Sequence, residues 1–120
     1  MLIIDDEEDI AYLMKQGLEL GGHFDVDIFN DPIIAIPVLK PRKYELILID
    51  IKMPQNDGFD TCRSIKEKDS NSVVCFLSAA EYTEEDIRNK LPDLRRQKQK
   101  TILIQKPVKL KELANQINKI

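Results

Sequence analysis

Asp5, Asp6, Asp50, Ser78 and Lys106 each stand just past a short apolar run. Leu2-Ile3-Ile4 precedes the first pair, Leu46 to Ile49 precedes Asp50, Val73 to Leu77 precedes Ser78, and Thr101 to Gln105 precedes Lys106. Parallel strands would carry all of them to one sheet edge, where open α/β folds place their ligand crevice. Carboxylates about 5 Å apart repel by roughly 3 kcal/mol per pair at an effective dielectric near 20, so a cation must offset them. Lys106 can neutralise one charge and a divalent metal the rest. An all-oxygen donor set without His or Cys favours Mg²⁺. Metal, ammonium, hydroxyl and carboxylate together form a pocket for a phosphoryl group. Asp50 would be the nucleophile that becomes an aspartyl phosphate, with Ser78 and Lys106 on the transferring oxygens. A single Asp at a strand end more often opens a turn or caps a helix, and Glu7, Glu8 and Asp9 suit a helix's first turn, where acids interact well with the macrodipole. Scattered turn formers, however, have no reason to share one rim.

For that rim to exist, the apolar runs must be parallel strands joined by helices. Leu46 to Ile49 do not alternate, which suits a central strand covered on both faces, and Pro54 ends the extended segment. After the acidic stretch, Ile10, Leu13, Met14, Gly17 and Leu18 predict one apolar helix face, with Gly21-Gly22 as its stop. Asp25 to Phe29 alternates like a half-exposed edge strand. Asp31-Pro32 opens a second helix through Ile33, Ile34, Ile36 and Leu39, which Pro37 should shorten, since an interior Pro costs about 3 kcal/mol. The loop from Met53 to Gly58 leads into a helix carrying Phe59, Cys62 and Ile65, where Asp57 could cap and Gly58 allows a tight approach. A strand from Ser72 to Leu77 follows. Thr83-Glu84-Glu85-Asp86 then reads as a capping box for a helix that Pro92 should interrupt. Arg95 to Lys100 is basic, and after Lys106-Pro107 a last helix carries Leu110, Leu113, Ala114, Ile117 and Ile120. Five strands alternating with five helices predict an α/β fold: a doubly wound parallel sheet with right-handed crossovers and helices on both faces.

Bulk properties narrow the possibilities. A chain of 120 residues, 42% hydrophobic and 32% charged, matches one globular domain. A net charge of −3 gives no overall attraction to nucleic acid or anionic lipid. No run approaches the ~20 apolar residues of a membrane span, and no signal peptide opens the chain, so a cytoplasmic location is expected. Cys62 and Cys75 lack metal or redox spacing and read as reduced core thiols. His23 reads as a solvated loop residue.

Leu2-Ile3-Ile4-Asp5-Asp6-Glu7, Asp50-Ile51-Lys52-Met53-Pro54 with Asp57-Gly58, Ser78-Ala79 and Lys106-Pro107 together resemble the receiver domain of two-component response regulators, including the stand-alone chemotaxis type. The match spans nearly the whole chain, in the family's motif order. The resemblance implies one receiver domain over residues 1–120 and the flavodoxin-like strand order 2-1-3-4-5, for which chemotaxis receivers are a standard example. It implies a signalling domain, not a conventional enzyme, that promotes its own phosphorylation and dephosphorylation. Asp50 would accept a phosphoryl group from a histidine kinase or histidine phosphotransfer protein. Asp6 and Asp50 would bind Mg²⁺ directly, Asp5 through water, and the Lys52 carbonyl would be a further ligand. Ser78 and Lys106 would contact the phosphoryl group. Pro107 would follow a cis peptide. Lys52 and Ala80 would tune how fast water removes the phosphate, the long Lys52 side chain restricting water. Phosphorylation would switch the surface near the fourth helix, fifth strand and fifth helix toward an output partner that the residues do not identify. The protein would be a monomer or a weak phosphorylation-dependent dimer.

Two features depart from the family pattern. Leu103 stands where an inward-swinging Tyr or Phe is usual, and the separation of Ser78 from Lys106 is longer than usual, the excess holding Pro92 and the basic stretch. That stretch lacks aromatics for base stacking and reads as solvated surface, so direct nucleic-acid binding is not expected. Two alternatives stay open at this point. A non-phosphorylated pseudo-receiver would keep the fold as an interaction module, although it would be expected to lose the acids. An aspartyl-phosphate phosphatase of the haloacid-dehalogenase type would want an Asp where Lys52 stands. With no effector segment after Ile120, the expectation is either a single-domain regulator or a piece of a longer chain.

Overall fold

Consecutive side chains of a strand point to opposite faces, and here both faces are covered. The computed structural model describes residues 1–20, 24–41, 43–53, 56–69, 72–78, 85, 89 and 101–105, with Lys52, Met53, Asn56, Asp57, Ser78, Thr101, Ile102 and Gln105 described through their backbone. The main sheet comprises β1 (Leu2–Ile4), β2 (Asp27–Phe29), β3 (Leu46–Asp50), β4 (Val73–Ser78) and β5 (Thr101–Gln105). They lie in the order β2-β1-β3-β4-β5, and every pairing is parallel. This is the 2-1-3-4-5 arrangement implied above.

Strand parity splits the core in two. Leu2, Ile4, Ile47, Ile49, Val74 and Phe76 pack with Ala35, Phe59, Cys62 and Ile65 on the side of α2 (Pro32–Val38) and α3 (Gly58–Lys68). Ile3, Leu46, Leu48, Cys75, Leu77 and Ile104 pack with Ala11, Met14 and Leu18 of α1 (Glu8–Leu20) on the other. Unbroken apolar runs in β1, β3 and β4 are thus what a sheet with two buried faces requires. Each fully buried Leu or Ile contributes about 1.5–3 kcal/mol.

Helix α1 corrects one expectation. Its buried stripe is Ala11, Met14 and Leu18, while Ile10 and Leu13 are 38% and 56% exposed. Met14 and Leu18 face the core as expected, and Ala11 rather than Ile10 or Leu13 completes the buried stripe. Helix α2 is seven residues long, as Pro37 predicts. The side chain of Asp31 accepts from the Ile33 N–H at 2.8 Å to cap its start, and Leu39 leaves in extended conformation with its N–H on the Ile36 carbonyl. The buried residues of α3 include Phe59, Cys62 and Ile65. The segment read as an irregular loop after β3 contains a short antiparallel ribbon, Lys52–Met53 against Asn56–Asp57. Glu85 and Asn89 are helical. Otherwise the capping box at 83–86, the region around Pro92 and Arg95 to Lys100, the last helix, His23 and the Gly21-Gly22 stop lie outside the described residues. Among the described residues no helix is long and apolar enough to cross a membrane.

Candidate functional site

The carboxyl ends of β1 and β3 are adjacent because Ile4 pairs with Ile49. The next residues along the two strands are Asp5 and Asp50. Register therefore brings two acids level, and Asp6 follows on the loop into α1. Carboxylate oxygens of Asp5, Asp6 and Asp50 all lie within 4.8 Å of one another. Asp5 is fully buried, Asp50 is 5% exposed and Asp6 is half-buried.

Local hydrogen bonds hold this arrangement. The Asp5 N–H donates to the Phe29 carbonyl at 3.1 Å, one step beyond the last β1–β2 pair. The Glu7 N–H donates to Asp5 Oδ1 at 3.0 Å, which ties the carboxylate to the turn that starts α1. Asn30 Nδ2 donates to the Asp5 carbonyl at 3.0 Å. On the other strand, the Ile51 N–H donates to the Leu77 carbonyl at 3.0 Å and the Gly58 N–H to the Ile51 carbonyl at 2.9 Å, fixing the peptides just past Asp50. Gly58 is required for that closeness. A Cβ there would fall 2.8 Å from both the Asp50 carbonyl oxygen and Ile51 Cα.

The donor set suits a small hard cation. It consists of oxygen alone, and Mg²⁺ at 2.0–2.1 Å from each ligand sets opposite ligands roughly 4.2 Å apart. Oxygens spread up to 4.8 Å fit an ion held by part of the cluster directly and by the remainder through water. Like charges at this spacing repel, and a cation among them would lower that repulsion.

The other expected site residues are placed as follows. Lys52 enters the antiparallel ribbon opposite Asp57, so its main chain lies two residues past Asp50. Ser78 ends β4, in register with Gln105 at the end of β5 and one residue beyond Leu77, the partner of Asp50. Their side chains, and Ala80, Lys106 and Pro107 altogether, lie outside the described residues. Leu103 pairs with Phe76 and is half-buried against the α2/α3 side of the core. Asn30 carried no expectation. An Asn directly before the Asp31-Pro32 cap reads as a turn former, and only the neighbouring strand reveals what its amide reaches.

A family model, the response regulator receiver domain, matches residues 1–118. Among curated proteins, the nisin biosynthesis regulatory protein NisR of Lactococcus lactis is 34% identical over 91 residues, covering 76% of this chain and 38% of its own length. The transcriptional regulatory protein YvrH of Bacillus subtilis is 37% identical over 79 residues, covering 66% of this chain and 33% of its own. The matched stretch is thus about a third of each relative's length. The solved receiver domain of the Francisella response regulator 1452 superposes with a TM-score of 0.76 at 28% identity, covering 98% of this chain and 91% of that one.

Proposed function

The chain belongs to the response regulator receiver domain family of two-component signalling, and on that premise we propose that it is a Mg²⁺-dependent phosphoacceptor whose phosphorylated residue is Asp50. The convergence of Asp5, Asp6 and Asp50 at the ends of β1 and β3 carries the reading. Asp6 and Asp50 would hold the cation directly, Asp5 would hold it through water, and the Lys52 carbonyl would complete the protein's share. When bound, the cation neutralises charge on the transferring oxygens.

The protein's own residues do the rest. An Asp50 carboxylate oxygen gives a lone pair to phosphorus, and the donor's P–N bond breaks with its electrons returning to the phosphohistidine imidazole. Ser78 and Lys106 hold the phosphoryl oxygens, and Lys52 and Ala80 govern water's access to the product. Burial of Asp50 to 5% exposure limits that access from the start. The phosphoryl source is a histidine kinase or histidine phosphotransfer protein. The reporting surface is the one around the fourth helix, β5 and the fifth helix, where Leu103 replaces an aromatic switch. Residues 1–120 act as one receiver unit.

Incubation with Mg²⁺ and a small acyl phosphate, read by intact mass, tests the proposal. The chain should gain one phosphoryl group that hydroxylamine removes, and Asp50→Asn should gain none. Equal labelling of Asp50→Asn, or none of the parent, would overturn the assignment. Rapid turnover to free phosphate without a labelled intermediate would point to a phosphatase.

A further inference from the structure

The backbone carbonyl of Asp5 belongs to the peptide that joins Asp5 to Asp6, two of the three clustered acids. It accepts a hydrogen bond from Asn30 Nδ2 at 3.0 Å. β2 ends at Phe29, whose carbonyl takes the Asp5 N–H at 3.1 Å, and the chain then turns away into the Asp31 cap. The next ladder rung would need a backbone donor that β2 no longer supplies. The side-chain amide of Asn30 stands in for it. Asp5 is thereby gripped on both sides, its N–H by residue 29 and its C=O by residue 30, while Glu7 orients its carboxylate.

We infer that Asn30 is a positioning residue for the cation site, fixing the Asp5–Asp6 peptide so that both carboxylates stay together against their mutual repulsion. The inference rests on reading the cluster as the Mg²⁺ site of a phosphoacceptor. In the metal-free protein, like charges push the acidic loop apart, and a loop freed from Asn30 relaxes by spreading. Cation binding must then draw it back. Loss of the amide therefore favours the metal-free form over the loaded one. Hydrogen-bonding partners around a metal site act in this way when removed, and a bond of ordinary strength sets the effect at about 3–10-fold in affinity.

Mn²⁺ is a suitable probe, followed by the electron paramagnetic resonance of the free ion in titrations of the full chain. Asn30→Ala, and Asn30→Leu, which keeps the shape and lacks the donor, should each raise the Mn²⁺ Kd about 3–10-fold. Asn30→His at pH 8, with a ring N–H near the position of the amide, should recover most of the loss. Urea unfolding in chelator and in excess Mg²⁺ supplies a second readout. A positioning role removes part of the Mg²⁺-dependent stabilisation, whereas a purely structural role lowers stability equally in both conditions. Folded Asn30→Ala and Asn30→Leu with parental Kd, or equal destabilisation with and without metal, would overturn the inference while leaving the phosphoacceptor reading intact. A parent chain that binds no Mn²⁺ would sink both.

Discussion

At the amino ends of the strands, Lys66, Asp69 and Ser72 are buried, and the Lys66 and Ser72 side chains donate to nearby main-chain carbonyls. At the carboxyl ends, Asp5 and Asp50 are equally buried, yet with Asp6 they set like charges within 4.8 Å. Lys66 Nζ donates to the Ser72 carbonyl, and Ser72 Oγ donates to the Asp69 carbonyl at 3.1 Å. At the same rim, Lys15 Nζ and a Glu19 carboxylate oxygen take the two backbone groups of Val26, just ahead of edge strand β2. Buried polar groups satisfied locally are what a stable fold needs. Buried charges of one sign brought together are not, and such conflict concentrates where a protein does chemistry. Helix α3 spans the two regimes, with Gly58 pressed on the Asp50–Ile51 peptide at its start and Lys66 closing the opposite rim near its end.

The largest effect expected from this contrast is at Gly58. A methyl group 2.8 Å from two backbone atoms cannot be absorbed by a rotamer change, so Gly58→Ala should destabilise the fold by about 3 kcal/mol in urea unfolding. It should weaken Mn²⁺ binding as well, because the displaced backbone is that of Asp50. A Gly58→Ala chain of parental stability and affinity would show that the two ends of α3 are not under different constraints.

Asp6→Asn should act in the opposite direction. It removes one charge from the cluster, and because Asp6 is half-buried, solvent screening reduces the relief to about 1 kcal/mol. In chelator the variant should therefore be more stable than its parent. In excess Mg²⁺ that advantage should shrink or reverse, since the parent gains more from the ion. A loss of stability in chelator would mean that this rim is not held against repulsion.

These effects trace to features that differ in how local they are. An apolar run followed by a polar or acidic residue is a local signal, so β1 and β3 with the acids at their ends, and β4 with Ser78, are readable directly, as is the short α2 from Asp31, Pro32 and Pro37. Membership in the family then implied the strand order, and the parallel pairings match it. On α1 the pattern finds Met14 and Leu18 but favours Ile10 and Leu13 over Ala11, because they outrank it in hydrophobicity, whereas close packing admits the smaller side chain. The ribbon after β3 rests on pairing between Lys52–Met53 and Asn56–Asp57 that no periodicity announces. Asn30 gives no sequence signal for a related reason: its partner is 25 residues away in sequence and is a backbone oxygen, a group present at every position.

The smallest effect lies on the quiet rim. Tyr44 precedes β3, and its hydroxyl donates to Asp27 Oδ2 at 2.6 Å, tying the start of β2 to the chain entering β3. Tyr44→Phe keeps the ring in the core and should cost about 1 kcal/mol or less, with no change in Mn²⁺ affinity. Its pH signature is specific. Burial, then the bond to Asp27 and the charge of Asp27, push the phenol up from 10.0 to about 12. The unfolded chain thus loses this proton first as pH rises, so the stabilisation is complete below pH 10 and fades between pH 10 and about 12. Cys62 and Cys75, pushed by burial from 9.0 to about 12, add a decline that begins one unit earlier. The parent's stability should accordingly fall from pH 9 and more steeply from pH 10, and Tyr44→Phe should remove only the second break. If Tyr44→Phe instead altered Mn²⁺ binding, the two rims would be coupled through β2, and the separation drawn between them would fail.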